Sequence, residues 1–420
     1  MKKIFVGLIA VLLLAGICQA RLENLQSARM TPKEILEDDL EKYCGDNLFT
    51  DMVTPLNYPV TSHTTTTDDG YVLKLFRIQA KNTKITSGKP VVFLQHGIFD
   101  SADIWLTNTE QHSLGFVLAN AGFDVWLGNS RGNKYSRVNT KISPEQTAFW
   151  DYSFQEMGQY DVKANIQFIL AFTGQAKLTY VGHSQGTSQM FAALGDPATA
   201  PFVNSKVKKF IALAPVVFCS NFSNKFFWRL AHSTVLIDAA KLFGLDEWLP
   251  GACSTSSAQS EFEKYVCELD PIMCDWVISL LDYNPKYDNE KRMPFFVQHN
   301  PSGTSLRCLL HYRQLMEFPK HAPVFQKYDF GSRENEKKYG QKTPPKYDFS
   351  NINIPVRGFV GLDDSLGDPI DNDFLNNALT TNLKKDYKEY VYNNCGHMTF
   401  MWGLNPTPMF NDILAEIASA

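Results

Sequence analysis

The stretch that most constrains this chain is Leu178-Thr179-Tyr180-Val181-Gly182-His183-Ser184-Gln185-Gly186-Thr187-Ser188. A run rich in β-formers delivers the chain to Gly182, and from Gln185 onward the pattern turns helical, with Met190, Phe191, Ala192 and Ala193 as its apolar residues. Gly-x-Ser-x-Gly alone is a weak pattern. Between a strand and a helix it makes Ser184 a candidate nucleophile on a sharp, strained turn, where flanking glycines let the two segments pass closely. The first amides of the following helix face the same spot and favour developing negative charge there.

Around this turn, strand and helix patterns alternate. Asp68-Asp69-Gly70 reads as a hairpin turn into the strand Tyr71–Phe76. Val91–Leu94, Phe123–Leu127, Val207–Ala214 and Ile354–Gly361 read as buried strands, and Glu389–Tyr392 as a further strand. Helices are expected over about residues 114–121, 160–172 and 405–417. The alternation predicts an α/β fold, a mostly parallel central sheet with helices on both faces. It stops between Val216 and Ser350, where helices and loops carry Phe226, Phe227, Trp228, Trp248 and Trp276. The expected division is therefore a leader at 1–20, an N-terminal segment at 21–70, a core at 71–215, an inserted helical cap or lid at 216–350, and the rest of the core at 351–420. Most cap aromatics are expected to pack on one another, and a subset to line a pocket for an apolar substrate.

Lys2 and Lys3, the apolar run Ile4–Gly16 and the small residues before Arg21 fit a cleaved secretory signal, the run being too short for an ordinary membrane span. No later segment has a long apolar run, so no transmembrane segment is expected in the mature chain. A net charge of −4 gives no basic field for nucleic acid. With Cys18 lost, seven cysteines remain, an odd number. Cys267 and Cys274 form the best internal pair, because Pro271 breaks the segment and lets it fold back. Zinc, phosphate-loop and dinucleotide spacings are missing, so no metal or cofactor is expected. Asn221-Phe222-Ser223 is the usable glycosylation acceptor, since Asn300 and Asn405 precede prolines.

A serine nucleophile needs a base, and the base needs a carboxylate to fix its tautomer. On this kind of sheet they arrive in the order Ser, acid, His. His397 alone among the nine histidines follows the last strand and the acid; His183 reads as a packing or locally bonded residue, and His299, His311 and His321 fall within the cap. Of the nearby carboxylates, Asp368 before Pro369 suits a helix N-cap, leaving Asp364, with Asp363 in reserve. Spacing does not separate these two. The strand ending in Gln95-His96-Gly97 supplies a loop whose Ile98 amide is a candidate oxyanion donor.

Beyond the elbow, Leu94-Gln95-His96-Gly97, Trp126–Gly132, Phe149–Phe154, His299–Ser305 and Tyr328–Ser332 resemble, in order, the acid lipase family of gastric and lysosomal lipases. The resemblance runs from about Tyr58 to the end. It implies an α/β-hydrolase fold with a helical cap, acting without a cofactor on neutral lipid esters at an emulsion or membrane surface, in a secreted or lysosomal protein. It implies Ser184, Asp364 and His397 as the triad, selecting Asp364 over Asp363, and the amides of Ile98 and Gln185 as oxyanion donors. One departure stands out. Met398-Thr399-Phe400 replaces the family's Leu-Asp-Phe, with an expected effect on pH optimum or loop rigidity. A short-chain carboxylesterase and a silent lipid carrier are the competing readings; the second would need a missing triad member.

Overall fold

The computed structural model describes residues 45–234, 237–238, 246–249 and 287–419. The expected leader and the Cys267 and Cys274 pair lie outside the described residues. The strands in chain order are β1 Val60–Thr66, β2 Tyr71–Ile78, β3 Val91–Gln95, β4 Asp124–Gly128, β5 Val138–Asn139, β6 Leu178–His183, β7 Val207–Leu213, β8 Glu247–Trp248, β9 Thr304–Ser305, β10 Val356–Gly361 and β11 Tyr387–Tyr392. The main sheet runs β1-β2-β4-β3-β6-β7-β10-β11, with β5 on β2, and is parallel from β4 to β11. The first hairpin and the β2–β4 pair are antiparallel.

The period-two geometry of a strand shows directly in the cores. Val92, Leu94, Val125 and Leu127 join one apolar cluster, with the helices Leu114–Asn120 and Thr407–Ala418. Val91, Phe93, Trp126, Tyr180 and Phe210 join another, with the helices Val162–Thr173, Gln185–Gly195 and Pro369–Leu383. Helices thus cover both faces, as the buried runs predict. Two boundaries differ from the sequence reading. The helix expected from Tyr160 begins at Phe154 and passes through a wide turn at Met157–Asp161, because Ser153 and Glu156 form a reciprocal cap that starts it early. The stretch expected to lack strands contains the short β8–β9 ladder beside the helices Lys225–His232, Met293–His299, Leu306–Met316 and Ser332–Tyr339.

A buried ion cluster secures the sheet's first edge. Arg131, 1% exposed, donates to Asp161 at 2.6 and 2.8 Å and to Asp69 at 2.6 and 3.0 Å, and its guanidinium lies 4.1 Å from the Tyr71 ring centre. Burial pushes the Asp161 carboxyl upward, against the pull of Arg131. Replacing Arg131 by methionine should leave that carboxyl buried and unpaired, and cost about 3–5 kcal/mol in urea unfolding.

Candidate active site

The turn after β6 has the strain its sequence implies. Ser184 sits at φ 53° and ψ −119° and caps the helix Gln185–Gly195. Its amide donates to Leu213 O at 3.1 Å, tying the turn to β7. Both glycines are required by space. A Cβ on Gly182 would meet Gly186 O at 2.6 Å, and one on Gly186 would meet Gln95 O at 2.2 Å. The elbow helix therefore packs directly on the end of β3, which leads into Gly97 and Ile98.

Gly97 is just as crowded: a Cβ there would lie 3.0 Å from Ser184 Cβ. Ile98 is half-buried against two apolar clusters. Gln185 opens the elbow helix, where the first amides lack intrahelical acceptors. Of the two residues expected to offer amides, Gln185 directly follows Ser184, and Ile98 directly follows Gly97, which crowds against Ser184. His96 braces this loop, its Nδ1–H donating to Gly97 O at 2.8 Å while Nε2 accepts from the Ser130 amide at 3.0 Å. Burial pushes its pKa down to about 4, so it is a neutral brace.

Asp364 and His397 meet at the carboxyl ends of β10 and β11. His397 Nδ1 lies 3.0 and 2.9 Å from the two Asp364 oxygens, and both residues are buried. Asp364 Oδ1 also accepts from the amides of Leu366 at 2.8 Å and Gly367 at 2.7 Å. Asp363 is half-buried and its amide donates to Cys395 O at 3.0 Å. Asp368 caps the helix Pro369–Leu383 through the Ile370 amide at 3.0 Å.

His183 links elbow and base. Its Nε2 donates to His397 O at 3.0 Å, and the two rings lie 5.0 Å apart. Burial, then the neighbouring His397, holds its pKa well below the ordinary imidazole range. Its bond reaches across the site instead of staying local, so the residue beside Ser184 grips the loop that presents His397. In the departing Met398-Thr399-Phe400 segment, Thr399 Oγ1 accepts from the Gly396 amide at 3.0 Å, so a hydroxyl closes the turn where the family has a carboxylate.

Two of the histidines in the expected cap are engaged away from the triad. His299 Nδ1 meets Asp103 at 3.0 Å in a buried cluster with Lys134, and His311 bonds Ser153 Oγ and Gln326 O, both at 3.0 Å. Asn221 is half-buried, its side-chain amide donating to Lys320 O at 3.1 Å and Asp371 Oδ1 at 2.9 Å. A glycan on that nitrogen would replace one of these bonds. Sequence reasoning passed over Asp100, a buried carboxyl beside the His96-Gly97 loop. Its position three residues past Gly97 was the available signal.

Two family models match, "Partial alpha/beta-hydrolase lipase region" over residues 49–109 and "alpha/beta hydrolase fold" over residues 90–243. A solved structure of a candidate lipase from Sulfolobus solfataricus superposes with a TM-score of 0.55 at 15% identity, covering 86% of this chain and 93% of that one. The fold and the lipase-region family model thus define an α/β hydrolase of carboxylic esters, as the following relatives bear out. Gastric triacylglycerol lipase of Rattus norvegicus is 38% identical over 383 residues, 87% of this chain and 90% of the relative. Lysosomal acid lipase/cholesteryl ester hydrolase of Homo sapiens is 36% identical over 379 residues, 87% and 89% respectively. The chain belongs to the acid lipase family of gastric and lysosomal lipases. No described helix is long and apolar enough to cross a membrane.

Proposed function

We propose that this protein hydrolyses triacylglycerols and sterol esters through an acyl-enzyme on Ser184. The observation that carries the reading is the Asp364–His397 contact, tied through His183 to the strained turn that carries Ser184. Ser184 attacks the ester carbonyl and His397 takes its proton. Asp364 holds the imidazole by Nδ1, so Nε2 is the atom that receives the proton and returns it to the leaving alcohol. The amides of Ile98 and Gln185 hold the oxyanion. Water then cleaves the acyl-enzyme by the same route.

The segment 216–350 acts as the cap. Its support is contact with both catalytic loops: Ser302 N donates to Phe99 O at 2.6 Å, and the amides of Ser223 and Asn224 donate to Ser365 O at 3.3 and 3.0 Å. Phe227 stacks on Phe99 at 6.2 Å, placing an aromatic side chain from this segment against the oxyanion loop. The relatives' names, one for triacylglycerols and one for cholesteryl esters, support neutral lipids as the substrate class. The leader-like N-terminus supports secretion or delivery to the lysosome. A panel of emulsified triolein, cholesteryl oleate and a soluble butyrate ester, run from about pH 4 to 8, tests this reading. Turnover of the long-chain esters is expected; hydrolysis of butyrate alone would favour a short-chain esterase.

A further inference from the structure

We propose that Thr187 is a positioning residue for ester cleavage: its hydroxyl grips the Ser184 carbonyl and thereby aims the Gln185 amide, the other end of the same peptide unit, at the oxyanion. The inference rests on the roles given to Ser184 and Gln185 above. Thr187 is fully buried in the first turn of the helix Gln185–Gly195. Its Oγ1 donates to Ser184 O at 2.5 Å, and that carbonyl also accepts the amides of Thr187 at 2.8 Å and Ser188 at 3.3 Å. A peptide unit is planar and trans, so its C=O and N–H point in opposite directions. Fixing Ser184 O therefore fixes where the Gln185 N–H points. That amide is the first of its helix and has no acceptor within it, which leaves it available to a ligand.

Helical threonines commonly bond a carbonyl three or four residues back, which alone would make this contact ordinary. Two observations set it apart. The carbonyl belongs to a residue at φ 53° and ψ −119°, outside the helix, where a strained backbone persists only when its surroundings hold it. The same Oγ1 also accepts the Val216 amide at 3.1 Å, from the chain that runs on from β7. An N–H can only donate and a carbonyl can only accept, so the hydroxyl's single proton lies toward Ser184 O. The run-out of β7 thus holds Ser184 at both ends. Leu213 O accepts the Ser184 amide at 3.1 Å, and Val216 steadies the hydroxyl that grips the Ser184 carbonyl. Between them the chain turns at Ala214, at φ 46°, whose amide donates to Phe359 O at 2.9 Å. Val216 also begins the segment proposed as the cap, so one hydroxyl joins the nucleophile turn to the root of that segment. The neighbouring Ser188 Oγ donates to Val216 O and meets Tyr312 OH at 2.8 Å, holding the same root without touching the Ser184–Gln185 peptide.

The experiment compares the wild type with T187V, T187S, T187A and S188A. It reads kcat and KM on a soluble butyrate ester, and both the rate constant and the end point of fluorophosphonate labelling. T187V keeps the shape of threonine without its hydroxyl. Its kcat and labelling rate constant are expected to fall roughly 10- to 100-fold with little change in KM, while the labelled fraction still reaches the wild-type end point. T187S restores the hydroxyl and should recover most of the lost rate. S188A should keep the wild-type rate constant. A merely structural role would lower the labelled fraction or the melting temperature and leave the rate constant of the folded enzyme alone. A wild-type rate constant in T187V, or T187S or S188A as slow as T187V, would overturn the proposal. If T187V does not fold, T187A and T187S decide it, since both lack the methyl group and they differ in the hydroxyl; equal rate constants would overturn the proposal. Retained hydrolysis in S184A would instead overturn the reading of Ser184, and this proposal with it.

Discussion

Changing Ser184 to alanine should lower kcat on any ester by about 10⁴- to 10⁶-fold, the scale on which removal of a serine nucleophile acts. The fold should survive, because the contacts that build the turn are made by the backbone: the Ser184 amide donates to Leu213 O at 3.1 Å, and Ser184 O accepts from the Thr187 amide at 2.8 Å. Alanine at φ 53° carries the same strain as serine. The variant should also lose labelling by a fluorophosphonate that the wild type accepts. Hydrolysis at an undiminished rate by the folded variant would refute Ser184 as the nucleophile.

Asp364→Asn is the second large effect, about 10⁴-fold in kcat, and its direction follows from the hydrogen bonds. The amides of Leu366 and Gly367 both point at Oδ1, so the carbonyl oxygen of an asparagine would settle there. The NH2 group would then face His397 Nδ1, which today lies 2.9 Å from Oδ2. A donor on that side turns Nδ1 into an acceptor and moves the ring proton to Nε2, where it faces Ser184 and cannot accept the serine proton. Asp363→Asn is expected to keep activity near the wild-type level, since Asp363 contributes its backbone to Cys395 O. Similar losses in both variants would reject Asp364 as the unique acid.

The elbow could be read from the sequence because its constraint is local and steric: a Cβ on Gly186 would lie 2.2 Å from a backbone oxygen of β3, and few residue types permit that. The parallel sheet was legible because strands buried on both faces leave uniform apolar runs such as Val91-Val92-Phe93-Leu94. The choice between Asp363 and Asp364 was not legible from spacing, since it depends on how the turn after β10 aims two adjacent side chains. The family pattern supplied it. The Arg131 cluster joins residues 62 and 30 positions apart, a pairing that only the tertiary fold creates.

The order of strands has a consequence for biosynthesis. The elbow and its donor loop are made early, on β6 and β3, whereas the proposed acid and base arrive on β10 and β11, after more than a hundred intervening residues. A nascent or interrupted copy lacking those last strands would carry Ser184 with nothing to activate it. On the proposed triad, ester cleavage therefore requires the completed polypeptide, and a copy that loses the distal strands keeps the candidate nucleophile without its base.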